Sequence, residues 1–122
     1  MAADCDLVTT VQRGTTIEKG NVSIATIEHL MSALIGMQVD NCLVQIDGAE
    51  LPIMDGSAAP FVEAIEQAGI QEMGAERAVF DLQQNIHYSD KESGAEYLAL
   101  PSNRYKVTAL IDYKSEVLGQ QH

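Results

Sequence analysis

The sequence predicts an α+β fold with an antiparallel-rich sheet, and three observations lead to this prediction. Runs rich in β-branched residues, separated by turn residues, favour short strands near the N-terminus. Apolar residues that recur every three to four positions predict one helix in the first third of the chain, and a second helix follows it. Beyond residue 77, strand-like runs alternate with turn sequences without an intervening helical pattern, which predicts an antiparallel meander.

The first strands are predicted at Leu7–Gln12 and Thr15–Glu18, both of which are rich in threonine and valine or isoleucine. A turn at Lys19-Gly20-Asn21 leads into a further extended stretch, Val22–Ile24. This order places three short strands immediately before the first helix.

The first helix is predicted from about Ala25 to Ile35. Its apolar stripe consists of Ile27, Leu30, Met31 and Leu34, at positions i, i+3, i+4 and i+7, and Gly36 suits its end. The face around His29 carries only small side chains, contributed by Ala25, Ser32, Ala33 and Gly36. Small residues allow close approach, so we expect this face to be covered or to form the wall of a cleft.

Asn41–Asp47 is predicted to be a strand, and a turn at Asp55-Gly56 leads to the second helix. Ser57 is its predicted N-cap, and Pro60 is tolerated in its first turn. Gly69 is predicted to end this helix. The side chains expected to be buried are those of Phe61, Val62, Ile65 and Ala68.

The meander is predicted to begin after a break near Gly74–Arg77. Its strands are expected at Ala78–Gln83, Ile86–Ser89, Glu96–Leu100 and Tyr105–Tyr113. The tail from Ser115 to His122 is predicted to have no strand or helix partner.

Length and composition narrow the functional classes. The 122 residues correspond to one domain or to part of a larger protein, and 46% apolar residues suffice for a core. A net charge of −11, with scattered basic residues, argues against nucleic-acid binding. No apolar run approaches the roughly 20 residues of a membrane span. Two cysteines without a CxxC partner favour a reducing cytoplasm.

Glu28 and His29 are the first candidates for chemistry, because they lie at the positive end of a helix dipole. This end favours an ionised carboxylate and a neutral imidazole. A neutral imidazole can bind a metal ion, and a carboxylate can accept a proton from water. The pair alone is also compatible with an ordinary structural or surface role. In addition, one imidazole does not make a three-ligand zinc site.

The remaining candidates have simpler interpretations. His87 is predicted to be a cross-strand surface residue, and His122 is the last residue of the chain. Asp55-Gly56-Ser57 fits a phosphate or sugar contact at a helix N-terminus, and it equally fits a turn followed by an N-cap. Cys5 and Cys42 have no activating base nearby in sequence.

Two segments within VSIATIEHLMSALIGMQVDNCLVQIDGAELPIMDGSAAPFVEAI, from Val22 to Ile65, resemble the zinc-dependent UDP-3-O-acyl-N-acetylglucosamine deacetylases of lipid A biosynthesis. The first is TIEHL, followed by Asp40-Asn41, and the second is PIMDGSAAPF. The resemblance implies removal of the N-acetyl group of a UDP-linked acylated amino sugar. By the motif match, Glu28 is expected to be the general base and His29 a ligand of Zn²⁺, and no other cofactor-binding residue is assigned.

The resemblance also implies two similar α+β domains, each a two-layer sandwich of helices on an antiparallel-rich sheet. Residues 1–76 are then the end of the first domain, and residues 77–122 are the opening strands of the second. The family's other zinc ligands, a His and an Asp, and a further His that acts as general acid, find no matching segment here. We therefore expect a fragment that by itself is inactive and holds zinc weakly or not at all. Some family members are fused to a dehydratase domain.

A second interpretation is non-enzymatic. The chain would then be an acidic α+β module that binds a protein partner through its helix face or a strand edge. Truncation exposes apolar surface and sheet edges, so self-association is expected under either interpretation.

Overall fold

Two helices and three small antiparallel sheets form the part of the chain that the computed structural model describes, residues 1–113 and 115–122. This arrangement confirms the α+β class. The chain divides into Met1–Arg77 and Ala78–His122, and each unit is described by itself. None of the helices in these described residues is long and apolar enough to span a bilayer.

The first sheet comprises β1 (Val8–Thr10), β2 (Thr16–Lys19) and β3 (Val22–Ile24) in the order β1-β2-β3. Both pairings are antiparallel, and Ile17 lies opposite Ile24 in the second of them. The predicted strands and the turn between β2 and β3 are therefore confirmed, although β1 is shorter than its predicted segment. A 3₁₀ turn occupies the residues just before β1.

Helix α1 spans Glu28–Gly36, so it begins three residues later than the apolar pattern predicts. The reason is tertiary, because Ala25 is engaged in pairing with a later segment. Its N–H donates to the Ala49 carbonyl at 2.9 Å, and its own carbonyl accepts the Leu51 N–H at 3.1 Å. Glu28 and His29 consequently become the first two residues of the helix.

The small side chains predicted to share one face of α1 have different environments. Ala33 is 1% exposed, whereas Ser32 and Gly36 are exposed. Helices α1 and α2 (Ala59–Ala68) pack against each other. One side of α1 is therefore covered and the side that carries Ser32 and Gly36 is open.

The core joins the sheet, the helix and the segment that precedes the second helix. Ile17, Ile27 and Leu51 are each at most 9% exposed and form one cluster. The partly buried side chains that pack on this cluster are Leu7, Ile24, Leu30 and Met31. Leu51 is thus the residue that ties the segment after the first helix to the β2–α1 core.

Leu51→Ala is expected to lower the free energy of unfolding of this chain by about 2–5 kcal/mol, because it removes buried apolar contacts and leaves a cavity. Leu43→Ala is the matched control, since Leu43 is 85% exposed and the same truncation there should cost less than about 0.5 kcal/mol. Urea unfolding followed by circular dichroism measures both values. Equal losses for the two variants would contradict the assignment of the core.

The strand predicted at Asn41–Asp47 is not formed. The structure places this segment in irregular backbone, and Leu43, Val44 and Ile46 are exposed. A short apolar sequence becomes a strand only where another strand accepts its backbone hydrogen bonds. None of the described residues pairs with this segment in a ladder, so its propensity is not realised.

Helix α2 has Ala58 at its N-cap position, one residue after the predicted cap. Ser57 nevertheless contributes, because its Oγ accepts the Ala59 N–H at 3.1 Å. Gly69, with φ of 78°, ends the helix as predicted, in a conformation that a side chain disfavours. Of the four side chains expected to be buried, Ala68 is exposed, because α2 is not covered at its end. The other three are partly buried: Phe61, Val62 and Ile65.

The described residues of the second unit form two strand pairs. Strands β4 (Ile86–Ser89) and β5 (Glu96–Ala99) form an antiparallel hairpin close to the predicted boundaries. In its turn the Asp90 carboxylate accepts the Ser93 hydroxyl and the N–H groups of Glu92 and Ser93. These hydrogen bonds hold the pKa of Asp90 below its usual range, and the bond from the Ser93 hydroxyl has the largest effect.

The other pair corrects two expectations. Strand β6 (Ile111–Asp112) is all that forms of the predicted Tyr105–Tyr113 strand, and it pairs with β7 (Gln120–Gln121). The tail after Ser115 therefore has a strand partner, because the backbone turns at residues 116–118 and returns alongside β6. Ala78–Gln83 remains irregular and exposes Val79 and Phe80, again for want of a pairing strand among the described residues.

Candidate active site

Glu28 is held by a segment far from it in sequence. Its Oε2 accepts the backbone N–H of Thr15 at 2.8 Å, and the side chain is 35% exposed. Thr15 lies just before β2, and its carbonyl accepts the Ile27 N–H at 3.3 Å. The loop before β2 therefore contacts the start of α1 twice and fixes one oxygen of the carboxylate.

The pKa of Glu28 is lowered from its ordinary value. The Thr15 N–H is the main cause, the backbone N–H of Glu28 itself adds to it, and the charge of His29 contributes less; partial burial opposes all three. The carboxylate at the start of α1 also gains from the helix dipole. It is therefore ionised at neutral pH and able to accept a proton.

His29 is the second residue of α1, and its side chain is 22% exposed. Its Nε2 lies 3.8 Å from Oε1 of Glu28, which is too long for a hydrogen bond. The carboxylate is therefore close enough to stabilise a positive charge nearby without occupying the imidazole nitrogen. A neutral His29 can offer this nitrogen to a metal ion.

The backbone that enters α1 is strained and locked. Thr26 has φ of 59°, which is rare for a β-branched residue, and it is only 9% exposed. Its Oγ1 donates to Oε1 of Glu50 at 2.7 Å, beside the pairing of Ala25 with Leu51. The surrounding hydrogen bonds thus maintain a conformation that places Glu28 and His29 at the helix start.

Asp55, which belongs to the Asp55-Gly56-Ser57 segment considered in the sequence, is held by Ser57. Its Oδ1 accepts the Ser57 N–H at 2.9 Å and the Ser57 hydroxyl at 2.8 Å, as expected for a turn before a helix. The Ser57 hydroxyl is the main reason that the pKa of Asp55 is lowered, and the charge of His29 contributes weakly. The contacts of Asp55 are therefore those of a turn that leads into α2, which agrees with the interpretation of Asp55-Gly56-Ser57 as a turn before a helix.

The other candidates lie in ordinary surroundings. His87 is exposed on β4, with its Nε2 3.8 Å from Oε2 of Glu96, in agreement with the predicted surface role. His122 and both cysteines are exposed, and the cysteines are free. Among the described residues, one group of three could hold a metal ion, namely Asp4, Cys5 and Asp6, all of which are exposed. Asp4 there caps the N–H of Asp6, which accounts for the cluster structurally.

Comparison with known proteins agrees with the motifs around this site. The sequence model of the LpxC family, described as UDP-3-O-acyl N-acetylglycosamine deacetylase, matches residues 1–122. A UDP-3-O-acyl-N-acetylglucosamine deacetylase of Chromohalobacter salexigens is 41% identical over 121 residues, which are 99% of this chain and 39% of the relative. One from Hahella chejuensis is 43% identical over 104 residues, 85% of this chain and 34% of the relative.

Relatives with two activities are also similar to this chain. A bifunctional LpxC/FabZ enzyme of Chlorobaculum tepidum is 40% identical over 117 residues, covering 96% of this chain and 25% of the relative. The chain therefore spans between a quarter and two-fifths of the length of these curated relatives.

Proposed function

Because this chain belongs to the UDP-3-O-acyl N-acetylglycosamine deacetylase family, we propose that it forms part of an amide hydrolase. The proposed substrate is UDP-3-O-acyl-N-acetylglucosamine, the compound after which the Chromohalobacter relative is named. Water cleaves the acetamide C–N bond, and the products are acetate and the free amine. The step belongs to lipid A biosynthesis, and hence to lipopolysaccharide assembly.

The observation that supports this proposal best is the geometry of Glu28 and His29. Thr15 holds Oε2 of Glu28 at 2.8 Å, while Oε1 faces the Nε2 of His29 at 3.8 Å. An ionised carboxylate with one anchored oxygen and one available oxygen is suited to remove a proton from an attacking water. In this proposal Glu28 is the general base.

His29 is the proposed metal-binding residue. An imidazole that is 22% exposed and makes no hydrogen bond to its acidic neighbour fits zinc, which prefers nitrogen ligands. When bound, Zn²⁺ supplies Lewis-acid polarisation of the acetamide carbonyl. We propose that the other protein ligands of Zn²⁺ come from the part of the family sequence that this chain does not cover. The chain by itself is then inactive and holds zinc weakly.

The proposed compartment is the cytoplasm. Cys5 and Cys42 are both exposed and free, which fits a reducing environment. Self-association of the chain also stays a prediction, and the exposed apolar side chains of the second unit support it: Phe80, Tyr105 and Val117 are each at least 87% exposed.

The test is deacetylation by the intact protein that contains this sequence. The zinc-loaded protein is expected to release acetate from UDP-3-O-acyl-N-acetylglucosamine, to lose this activity after treatment with a chelator, and to regain it with Zn²⁺. Mg²⁺ is the control, because it prefers oxygen ligands and should not restore activity. Absence of acetate release from the zinc-loaded protein would contradict the proposed reaction, and full activity after chelation would contradict the role of zinc.

A further inference from the structure

A left-handed turn of the backbone immediately precedes the two site residues. Thr26 has φ of 59°, and this conformation is unfavourable for a β-branched residue because its Cβ comes too close to the following carbonyl oxygen. Glu28 and His29 lie two and three residues further along the chain. The direction that the backbone takes at Thr26 therefore sets where α1 begins and where both side chains leave it. A strained residue keeps such a conformation only where its surroundings hold it.

Two separate segments hold the backbone on either side of this turn. Before Thr26, the backbone of Ala25 pairs with that of Glu50 in a parallel bridge. After Thr26, the N–H of Ile27 donates to the Thr15 carbonyl at 3.3 Å. The chain thus passes from one segment to the other at Thr26, and the left-handed turn is the point at which it changes partner.

The side chain of Thr26 binds the first of these segments as well. Thr26 is 9% exposed, and its Oγ1 donates a hydrogen bond to Oε1 of Glu50 at 2.7 Å. A hydrogen bond to a carboxylate is about twice as strong as one between neutral groups. Removal of the carboxylate would also leave a buried hydroxyl without this acceptor, which is unfavourable. Glu50 is therefore joined to the turn through both its backbone and its side chain.

We propose that Glu50 is a positioning residue for the reaction: its carboxylate holds the Thr26 hydroxyl and so fixes the turn that sets Glu28 and His29 at the start of α1. This inference rests on the proposed roles of these two residues as base and zinc ligand. Glu50 acts only through Thr26. Loss of the bond lets the turn relax and moves the carboxylate of Glu28 away from the Thr15 N–H, and a displacement of about 1 Å can slow a reaction about 100-fold.

The experiment measures kcat and KM of Glu50→Ala, Thr26→Val and the double variant in the intact protein, with Zn²⁺ at saturation so that weaker metal binding does not lower kcat. Each single variant removes one end of the hydrogen bond and should lower kcat by about 10- to 100-fold with KM unchanged. The double variant should lose no more than the larger single loss, because both substitutions break the same bond. Losses that multiply would overturn the inference.

Conservative variants and a matched control separate positioning from a loss of folding. Glu50→Gln and Thr26→Ser both keep the hydrogen bond, so kcat should stay within a few-fold of the wild type. Glu18→Ala is the control, because Glu18 accepts the Ser23 hydroxyl at 3.0 Å in the pairing of β2 with β3. Its kcat should equal that of the wild type. Circular dichroism at the assay temperature establishes that each kcat refers to folded protein.

Wild-type kcat in Glu50→Ala or in Thr26→Val would overturn the inference, and so would equal losses in Glu50→Ala and Glu50→Gln. If Glu50→Ala fails to fold, Thr26→Val decides, because valine has nearly the shape of threonine and Thr26→Ser restores the hydroxyl. Full activity of Glu28→Gln would instead overturn the proposed base, so the two failures are distinguishable.

Discussion

Replacement of Glu28 by glutamine in the intact protein is expected to lower kcat by about 10²- to 10⁴-fold, the usual contribution of a general base. Glutamine has the same shape and can still accept the Thr15 N–H through its oxygen. Its amide nitrogen then takes the place of Oε1, so a donor faces the site where a proton acceptor is needed. Steady-state deacetylation kinetics and zinc analysis measure the effect, and zinc content should be unchanged.

Glu63→Gln is the matched control for this variant. Glu63 is exposed on α2, and the same change of charge there should leave turnover and zinc content as in the wild type. Undiminished kcat in Glu28→Gln would remove Glu28 from the role of base. A parallel loss of zinc would show that the carboxylate contributes to metal binding, which contradicts the proposed division of roles.

Replacement of His29 by alanine is expected to weaken zinc binding of the intact protein by more than about 100-fold and to abolish turnover at limiting zinc. Removal of a direct ligand should exceed the 10- to 100-fold loss that is typical for residues that merely orient ligands. The measurement is a competition titration with a zinc-binding dye, combined with acetate release as a function of zinc concentration.

His87→Ala serves as the control, because His87 is exposed on the β4–β5 hairpin and is not assigned to the metal. It should retain the zinc affinity and kcat of the wild type. If His29→Ala bound zinc as tightly as the wild type, the imidazole would not be a ligand. The match to the family motif would then stand, but the ligand role that it implies for His29 would be wrong.

The two helices and the first three strands could be predicted because their signals are local. The stripe of Ile27, Leu30, Met31 and Leu34 recurs within a few residues, and Gly69 marks the end of α2 at one position. The segment Asn41–Asp47 has an equally clear strand pattern, yet it stays irregular. Strand formation depends on a partner that supplies hydrogen bonds, and local composition carries no information about that partner.

The start of α1 illustrates the same distinction at the site. The apolar period extends back to Ile27 and favours a helix from Ala25, but pairing with Leu51 and the positive φ of Thr26 delay the helix until Glu28. In a helix that began at Ala25, Glu28 would be the fourth residue. In the structure Glu28 is the first residue of α1. The later start places the carboxylate where the Thr15 N–H can reach it.

The sequence by itself determined the α+β class, the adjacency of Glu28 and His29 on a helix, and the motifs that identify the family, because each of these resides within a short stretch of chain. Only the tertiary structure decided which groups surround that pair. Thr15 reaches Glu28, because a shared core around Ile17, Ile27 and Leu51 folds separate segments together. Such contacts depend on packing between distant segments, for which no local pattern exists.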